Sequence, residues 1–560
     1  MMNRAFRVML TMASAVALMV ACGNDDVTED VPKPQPEPTA PAAPRYEVFP
    51  LLNPTDIPYR IPALACTNTG TLIAVADYRH SGADIGMVHN GRIDLHARIS
   101  KDNGETWGEI FSIIDGRGAA GVNTPNQMYV GFGDPCIVAD RESDTILVIS
   151  CSGNVSFPNG QRNNHQGIAH FYSNDGVTWT EPVDRSESIY SQFDNSPYGP
   201  VRAMFVGSGK ISQSKYIKVN DFYRLYCAVL VKDVNGTHVN FVLYSDDFGG
   251  SWTVLGGTEM SPIPGGGDEP KADELPDGSV VISSRTTGGR IYNIFSYTDA
   301  VKAEGVWGTS VYSNSSNKGT IAVSNSTNGE IITVPAKRVA DGKPVYLFLQ
   351  SVPFGSGRAN VGIYYKEFES LADFVSPEKL AADWDGRHQS SYLSSAYSTL
   401  CWQADNKLAF LYEEDTYGTS GGGYTIVYKN YSIEYITDSA YVYDATANHE
   451  DVVAAGIESK IDGSALSSLK GDDNNYYALP SATWYPGVTY DKDLFTRKNL
   501  FFADPSETNV TTFTSGLTGK TYKFVANPTA KRSCGIDGAY NTNYDAPSSD
   551  DGLPTSLEEL

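Results

Sequence analysis

Ser100-Lys101-Asp102-Asn103-Gly104-Glu105-Thr106-Trp107 returns twice further along the chain. The second copy is one residue shorter, Ser173-Asn174-Asp175-Gly176-Val177-Thr178-Trp179, and the third is Ser245-Asp246-Asp247-Phe248-Gly249-Gly250-Ser251-Trp252, at a spacing of about 72 residues. Self-similarity at a fixed period marks a radial array of small antiparallel sheets, none of which can bury its faces alone. Inside each box the aspartate can bond amides of its own turn, the glycine supplies positive φ, and the tryptophan packs between adjacent sheets. Ser296-Tyr297-Thr298-Asp299, followed by Gly305 and Trp307, reads as a degenerate fourth copy. The boxes set architecture and carry no chemistry. The expected fold is an all-β propeller.

Strand-like runs such as Thr71-Leu72-Ile73-Ala74-Val75-Ala76 and Thr145-Ile146-Leu147-Val148-Ile149-Ser150 recur between Gly, Asp and Asn turns, and long apolar stretches of helical period are scarce. A propeller over residues 47–437 accounts for most of the 560 residues without a second large core. The region 438–560 lacks any box and alternates polar stretches with short Tyr-Tyr and Phe-Phe runs, which fits a small β-domain or a partly disordered extension.

The N-terminus carries Arg4 and Arg7 and then an apolar run from Val8 to Ala21, too short for a membrane span, so residues 1–21 read as an export signal. Leu18-Met19-Val20-Ala21-Cys22 resembles a lipoprotein lipobox, with Met19 where leucine is usual, and implies a lipid on Cys22. Asp25 and Asp26 resemble the acidic tag of surface-displayed Bacteroidetes lipoproteins, and the Pro-rich stretch within 22–46 reads as a semi-rigid spacer. The expected location is the outer membrane or cell surface, the alternatives being periplasmic or secreted. Of the remaining cysteines, Cys136 and Cys151 lie symmetrically about the Glu142-Ser143-Asp144 turn, which fits either a disulfide across a hairpin or two buried free thiols.

With 42 basic against 66 acidic residues the net charge is −24, which argues against nucleic acid and against adsorption to anionic lipid. An anionic ligand must therefore be captured locally, and screening over about 8 Å lets a tight arginine cluster dominate its own cleft. Three arginines stand in contexts that suit this: Arg60 in Tyr59-Arg60-Ile61-Pro62, Arg285 at the end of Val280-Val281-Ile282-Ser283-Ser284-Arg285, and Arg358 after Pro353-Phe354-Gly355-Ser356-Gly357. Guanidinium groups match a carboxylate with paired, charge-assisted donors. The glycine-rich run Gly418-Thr419-Ser420-Gly421-Gly422-Gly423 has no lysine and reads as a loop, and His165 and the other histidines lack ligand spacing, so no metal or cofactor is expected.

From these arginines and boxes the chain resembles the exo-sialidases (neuraminidases) of glycoside hydrolase family 33, especially secreted Bacteroidetes members, over about residues 47–437. The resemblance implies six blades, Arg60, Arg285 and Arg358 on the carboxylate of sialic acid, and no cofactor. Asp77-Tyr78-Arg79-His80-Ser81-Gly82-Ala83-Asp84 resembles the segment in which an arginine, here Arg79, contacts the sugar and an aspartate, here Asp84, is the acid/base; Asp94 is its nearest rival. Gly267-Asp268-Glu269-Pro270 resembles the segment whose glutamate activates the nucleophile, and the 16-residue step from Glu269 to Arg285 fits, with Glu274 the alternative. Ser394-Ser395-Ala396-Tyr397-Ser398-Thr399-Leu400 resembles the nucleophile segment, which implies Tyr397 as nucleophile and, in Leu411-Tyr412-Glu413-Glu414, Glu413 as the brace of the first arginine. Gly133-Asp134-Pro135-Cys136 resembles a segment whose aspartate lies near the sugar, which adds Asp134.

Sialidases are a recognised tyrosine-nucleophile exception among glycosidases, so that role comes with the resemblance. Its physical reason is that sialic acid carries a carboxylate on its anomeric carbon, which would repel an anionic nucleophile. The resemblance thus implies an exo-α-sialidase that acts with retention on sialylated glycoproteins, glycolipids and oligosaccharides, as a monomer that meets the membrane only through its lipid. A sialic-acid-binding lectin or adhesin, an intramolecular trans-sialidase, and a different Asp-box propeller are the competing expectations.

Overall fold

The computed structural model describes residues 45–445, apart from 123, 220, 324–326, 371, 372, 375, 420–422, together with the backbone of a few short strands between 483 and 559. Six small sheets follow one another along the chain as the blades of a propeller, antiparallel throughout except where Gly209–Lys210 pairs parallel with Phe132–Ala139 in the second. The first blade is Tyr59–Cys66, Leu72–Arg79, Ile93–Ser100 and Phe111–Ile114, and the second is built on Phe132–Ala139, Ile146–Ser152 and Gly167–Ser173. The third centres on Phe222–Lys232 and His238–Ser245, and the fourth on Pro270–Glu274, Val280–Thr286 and Gly289–Asp299. Ile331–Arg338, Pro344–Gly355 and Ala359–Phe368 form the fifth, and Ser395–Trp402, Leu408–Asp415 and Tyr424–Tyr431 the sixth.

Closure comes from the first described strand. Arg45–Phe49 adds the outer strand of the sixth blade, pairing with Tyr424–Tyr431, so the earliest described strand completes the last sheet. Tyr441–Tyr443 pairs with Ile331–Arg338 and adds an edge strand to the fifth blade. The pairing therefore runs past the expected boundary at 437, because this short strand covers an otherwise open sheet edge.

Each box locks one blade to the one before it. In the first, Ser100 Oγ accepts from Gly104 N at 2.9 Å and Asp102 Oδ1 accepts from Thr106 N at 2.9 Å. The second and third repeat this through Gly176 N to Ser173 Oγ at 2.9 Å and Gly249 N to Ser245 Oγ at 2.8 Å. Glycine is required because φ is +83°, +74° and +83° at Gly104, Gly176 and Gly249, and a Cβ there would lie 2.1 Å from Tyr428, 2.9 Å from Ile73 and 2.4 Å from Leu147. Those three residues belong to the sixth, first and second blades, each the neighbour preceding the box. Trp107 packs edge-on against Tyr428 at 5.4 Å, and Trp307 of the degenerate copy donates to Leu255 O at 3.1 Å, just past the third blade.

Cys136 and Cys151 are buried free thiols. Cys136 sits opposite Ile149 and Cys151 opposite Gly133, across an irregularity in the pairing, so the two are not cross-strand partners. The expected export signal at 1–21, Cys22 and the linker as far as residue 44 lie outside the described residues. Within 438–560, the described backbone beyond the propeller pairs Thr483–Tyr485 with Val488–Thr489 and joins Val510–Thr514, Thr521–Ala526 and Pro554–Glu559 in one sheet.

Candidate active site

Tyr397 lies on the innermost strand of the sixth blade, and its hydroxyl donates to Glu269 Oε1 at 2.6 Å. Glu269 directly precedes the innermost strand of the fourth blade. Arg285 closes a triangle, with Nη1 at 2.9 Å from Glu269 Oε2 and 3.5 Å from Tyr397 Oη. The 16-residue step is a hairpin register: Arg285 N donates to Glu269 O at 3.1 Å and Asp268 N to Arg285 O at 2.9 Å. Asn240 of the third blade reaches over to donate to Asp268 O at 2.8 Å and accepts from Ser284 Oγ at 2.6 Å, which fixes the turn. Gly267 permits this approach, since a Cβ would lie 2.4 Å from Asn240 Oδ1.

The other two arginines meet the same ring. The Arg60 guanidinium is 5.9 Å from the centre of Tyr397 and 5.0 Å from that of Tyr424, and the Arg358 guanidinium is 5.2 Å from that of Tyr397. Glu413, 0% exposed, accepts from Arg60 Nε at 2.8 Å, Ile61 N at 2.8 Å and Tyr397 N at 3.2 Å. One buried carboxylate thus sets a triad arginine and the backbone of the tyrosine together. Arginines from the first, fourth and fifth blades converge on Tyr397.

Three site segments are bulged. Strand pairing shifts between Arg60 and Ala63, between Gly133 and Cys136, and between Ser395 and Ser398. Ile61 and Asp134 take positive φ, 54° and 56°, costly for a β-branched residue and tolerated for aspartate. A bulge re-aims a side chain that regular alternation would bury in the blade. The Glu413 bond to Ile61 N holds the strained one in place.

A second cluster adjoins the first. Arg79 is buried and bonds Asp77 at 3.1 Å, Asp134 at 3.3 Å and Asp84. Asp77 is a site residue that the sequence reading passed over; its place two residues before Arg79 puts both on one face of a strand, a period-2 signal that was available. Asp84 differs from its neighbours, with its side chain 66% exposed at the loop after the strand. Asp94, its rival, is locked by Arg92, His80 and Gly116 N. Glu274, the rival of Glu269, accepts from Ser214 Oγ and Lys215 N between the third and fourth blades and touches none of the triad. Among the described residues Asp94, His96 and Asp115 group closely enough to hold an ion, but Arg92 already spans Asp94 and Asp115.

Electrostatics follow burial. Burial first, then the Glu269 charge, pushes the Tyr397 phenol well above its ordinary value, while Arg285 and Arg358 pull it back. Burial works against the Arg60 charge, and Glu413 more than offsets it, so that guanidinium is held above its ordinary value. The same opposition of burial and Glu269 keeps Arg285 charged. Asp134 is raised by burial in spite of Arg79, with Asp77, Asp84 and Glu269 adding to the rise. Beside Arg285 a cavity of about 320 Å³ opens, lined also by Thr237, His238, Asp268 and Thr286.

No family model matches the chain. Comparison with curated proteins gives 26% identity over 366 residues, 63% of this chain and 81% of the relative, to a protein of Paraclostridium sordellii, and 29% over 236 residues, 40% of this chain and 32% of the relative, to one of Micromonospora viridifaciens. A Bacteroides fragilis protein is 30% identical over 173 residues, 27% of this chain and 29% of that protein. These relatives are sialidases. The chain thus spans most of the clostridial sialidase and about a third of the other two. Among solved structures, a leech intramolecular trans-sialidase matches with a TM-score of 0.55 at 16% identity over 71% of this chain and 72% of its own, and the intramolecular trans-sialidase of Ruminococcus gnavus with 0.53 at 18% over 71% and 98%. At such identities the structural match speaks for the six-bladed sialidase propeller as a fold.

Proposed function

We propose that this protein is an exo-α-sialidase, cleaving terminal sialic acids from glycoproteins, glycolipids and oligosaccharides with retention. The observation that carries the reading is the 2.6 Å bond from Tyr397 Oη to Glu269 Oε1 inside a ring of arginines from three blades. Arg60, Arg285 and Arg358 take the substrate carboxylate, and Arg79 with Asp134 faces the sugar. Tyr397 Oη attacks the anomeric carbon as Glu269 accepts its proton, which a phenol of raised pKa requires. Asp84 protonates the departing glycosidic oxygen. In the second step Asp84 takes a proton from water as the water attacks the tyrosyl-sialoside, and Glu269 returns the proton to Tyr397. Two displacements at one carbon retain its configuration. The lipobox at Cys22 supports export and a surface lipid anchor, with sialylated glycans as the partners.

The test is release of free sialic acid from sialyllactose by the parent and by Tyr397→Phe. A variant slower by at least about a hundredfold, still folded, is expected for loss of the nucleophile. Sialoside bound without release by the parent would favour a lectin, and an anhydro product in place of free sialic acid would make the protein an intramolecular trans-sialidase.

A further inference from the structure

Beneath the Tyr397–Glu269 pair, on the propeller axis, lies a charge pair that the chemistry above does not use. Lys271 and Glu330 are 1% and 0% exposed, and Lys271 Nζ stands 3.2 Å from Glu330 Oε2. Among the described residues Lys271 Nζ has no hydrogen-bond partner, and Glu330 is its ion-pair partner. Gly209 walls the pair: its φ is +107°, and a Cβ would lie 2.6 Å from Lys271 Nζ and 2.9 Å from Glu330 Oε2. Burying two charges costs more than a surface pair returns, so stability alone is a poor reason to keep them here.

Chain proximity ties the pair to the site. Lys271 is two residues from Glu269, in register across the same hairpin, and Thr399 is two residues beyond Tyr397, past the bulge of that strand. Glu330 Oε2 accepts from Thr399 Oγ1 at 3.1 Å and from Lys210 N at 3.0 Å, and so touches the strands of both partners as well as the second blade. Ser351 Oγ bonds Glu330 N at 2.9 Å and meets Ser398 Oγ at 2.8 Å.

We propose that Lys271 and Glu330 are positioning residues for the Tyr397–Glu269 pair, holding the two strands across the axis and balancing the field in which Glu269 carries its charge. This rests on the sialidase reading of Tyr397 and Glu269. Glu269 is faced by Arg285 of its own blade and Tyr397 of the sixth, with Asp134 of the second blade and Arg290 of the fourth in electrostatic range. Glu330 is faced by Lys271, with Lys210, Arg290 and Cys401 further off. Removing one member of the pair takes from the other its ion-pair partner, and Lys271 stands two residues along the chain from Glu269.

The sign of the consequence is diagnostic. Glu330→Gln leaves Lys271 positive, which favours ionised Glu269 and moves the acid limb of kcat/KM on an aryl sialoside down by about one pH unit. Lys271→Met leaves Glu330 negative and moves the same limb up by a similar amount. The double variant and Lys271→Arg hold the parent's limb within a few tenths. A merely structural role would lower activity without opposite shifts. The same titration is read without turnover from the carboxylate infrared band lost in Glu269→Gln, in the full-length protein and each variant; a parent that releases no sialic acid would overturn the sialidase reading while this band still decides the pairing. Shifts of one sign in both single variants, or none, would overturn the proposal. Should a single variant fail to fold, displacement of the limb in the double variant or in Lys271→Arg does so.

Discussion

A phenol surrounded by three guanidinium groups is chemically useful only if one neighbour can take its proton, and the carboxylate hydrogen-bonded to Tyr397 is that of Glu269. Arg285 contacts both of them, so its geometry matters as well as its charge. Arg285→Lys is expected to lower kcat/KM for sialyllactose by at least about tenfold, since an ammonium cannot reproduce a planar fork. Near-parental turnover in that variant would remove Arg285 from the carboxylate site. Glu274, at the far end of the strand that Glu269 precedes, provides the contrast. Burial, outweighing its bonds from Ser214 and Lys215, raises its carboxyl to about 7. The fold therefore favours the neutral acid, and the stability this confers is complete below the ordinary carboxyl range and lost as pH rises through about 7. Glu274→Gln is expected to leave sialic acid release unchanged and to raise Tm relative to the parent at about pH 8 more than at about pH 5; a loss of activity would return Glu274 to the list of bases.

At the level of the element, the box is a self-contained device that exports its rigidity to the neighbouring blade. Asp102 accepts from both the amide and the hydroxyl of Thr106, and these bonds hold its carboxyl below the ordinary range. A depressed carboxyl stabilises above its ordinary value and loses that contribution as pH falls below about 4. Asp102→Ala is expected to lower Tm by about 1–3 °C at neutral pH, with a gap that narrows in acid and an unchanged pH profile of activity. A displaced pH optimum, measured with the same aryl sialoside, would show that the box communicates with the site. The bulges work the other way: at Arg60, Asp134 and Tyr397 they break the regular element so that side chains leave the blade for the axis.

For the whole molecule, stability depends on closing the ring, which the strand at 45–49 does on the sixth blade, and on covering the fifth blade's edge, which the strand at 441–443 does. A chain ending at residue 437 is expected to melt several degrees below one ending at 445, with the same activity per folded molecule; equal melting curves would show that the edge strand adds nothing. The sequence by itself determined the propeller, because box spacing and strand alternation are local patterns that each blade repeats. It also supplied Arg60, Arg285, Arg358, Glu269, Tyr397 and Glu413, since their short contexts survive as motifs. The tertiary structure alone set Glu269 and not Glu274 against Tyr397, and left Asp84 beside Arg79 while Arg92 and His80 hold Asp94, for each pair offers the same chemistry at similar distances along the chain. It alone brought in Asp77, Tyr424, Lys271 and Glu330, and resolved Cys136 and Cys151 as free thiols. Those choices depend on which side chains six separate blades send to a common axis, and bulges that no residue pattern announces set that direction.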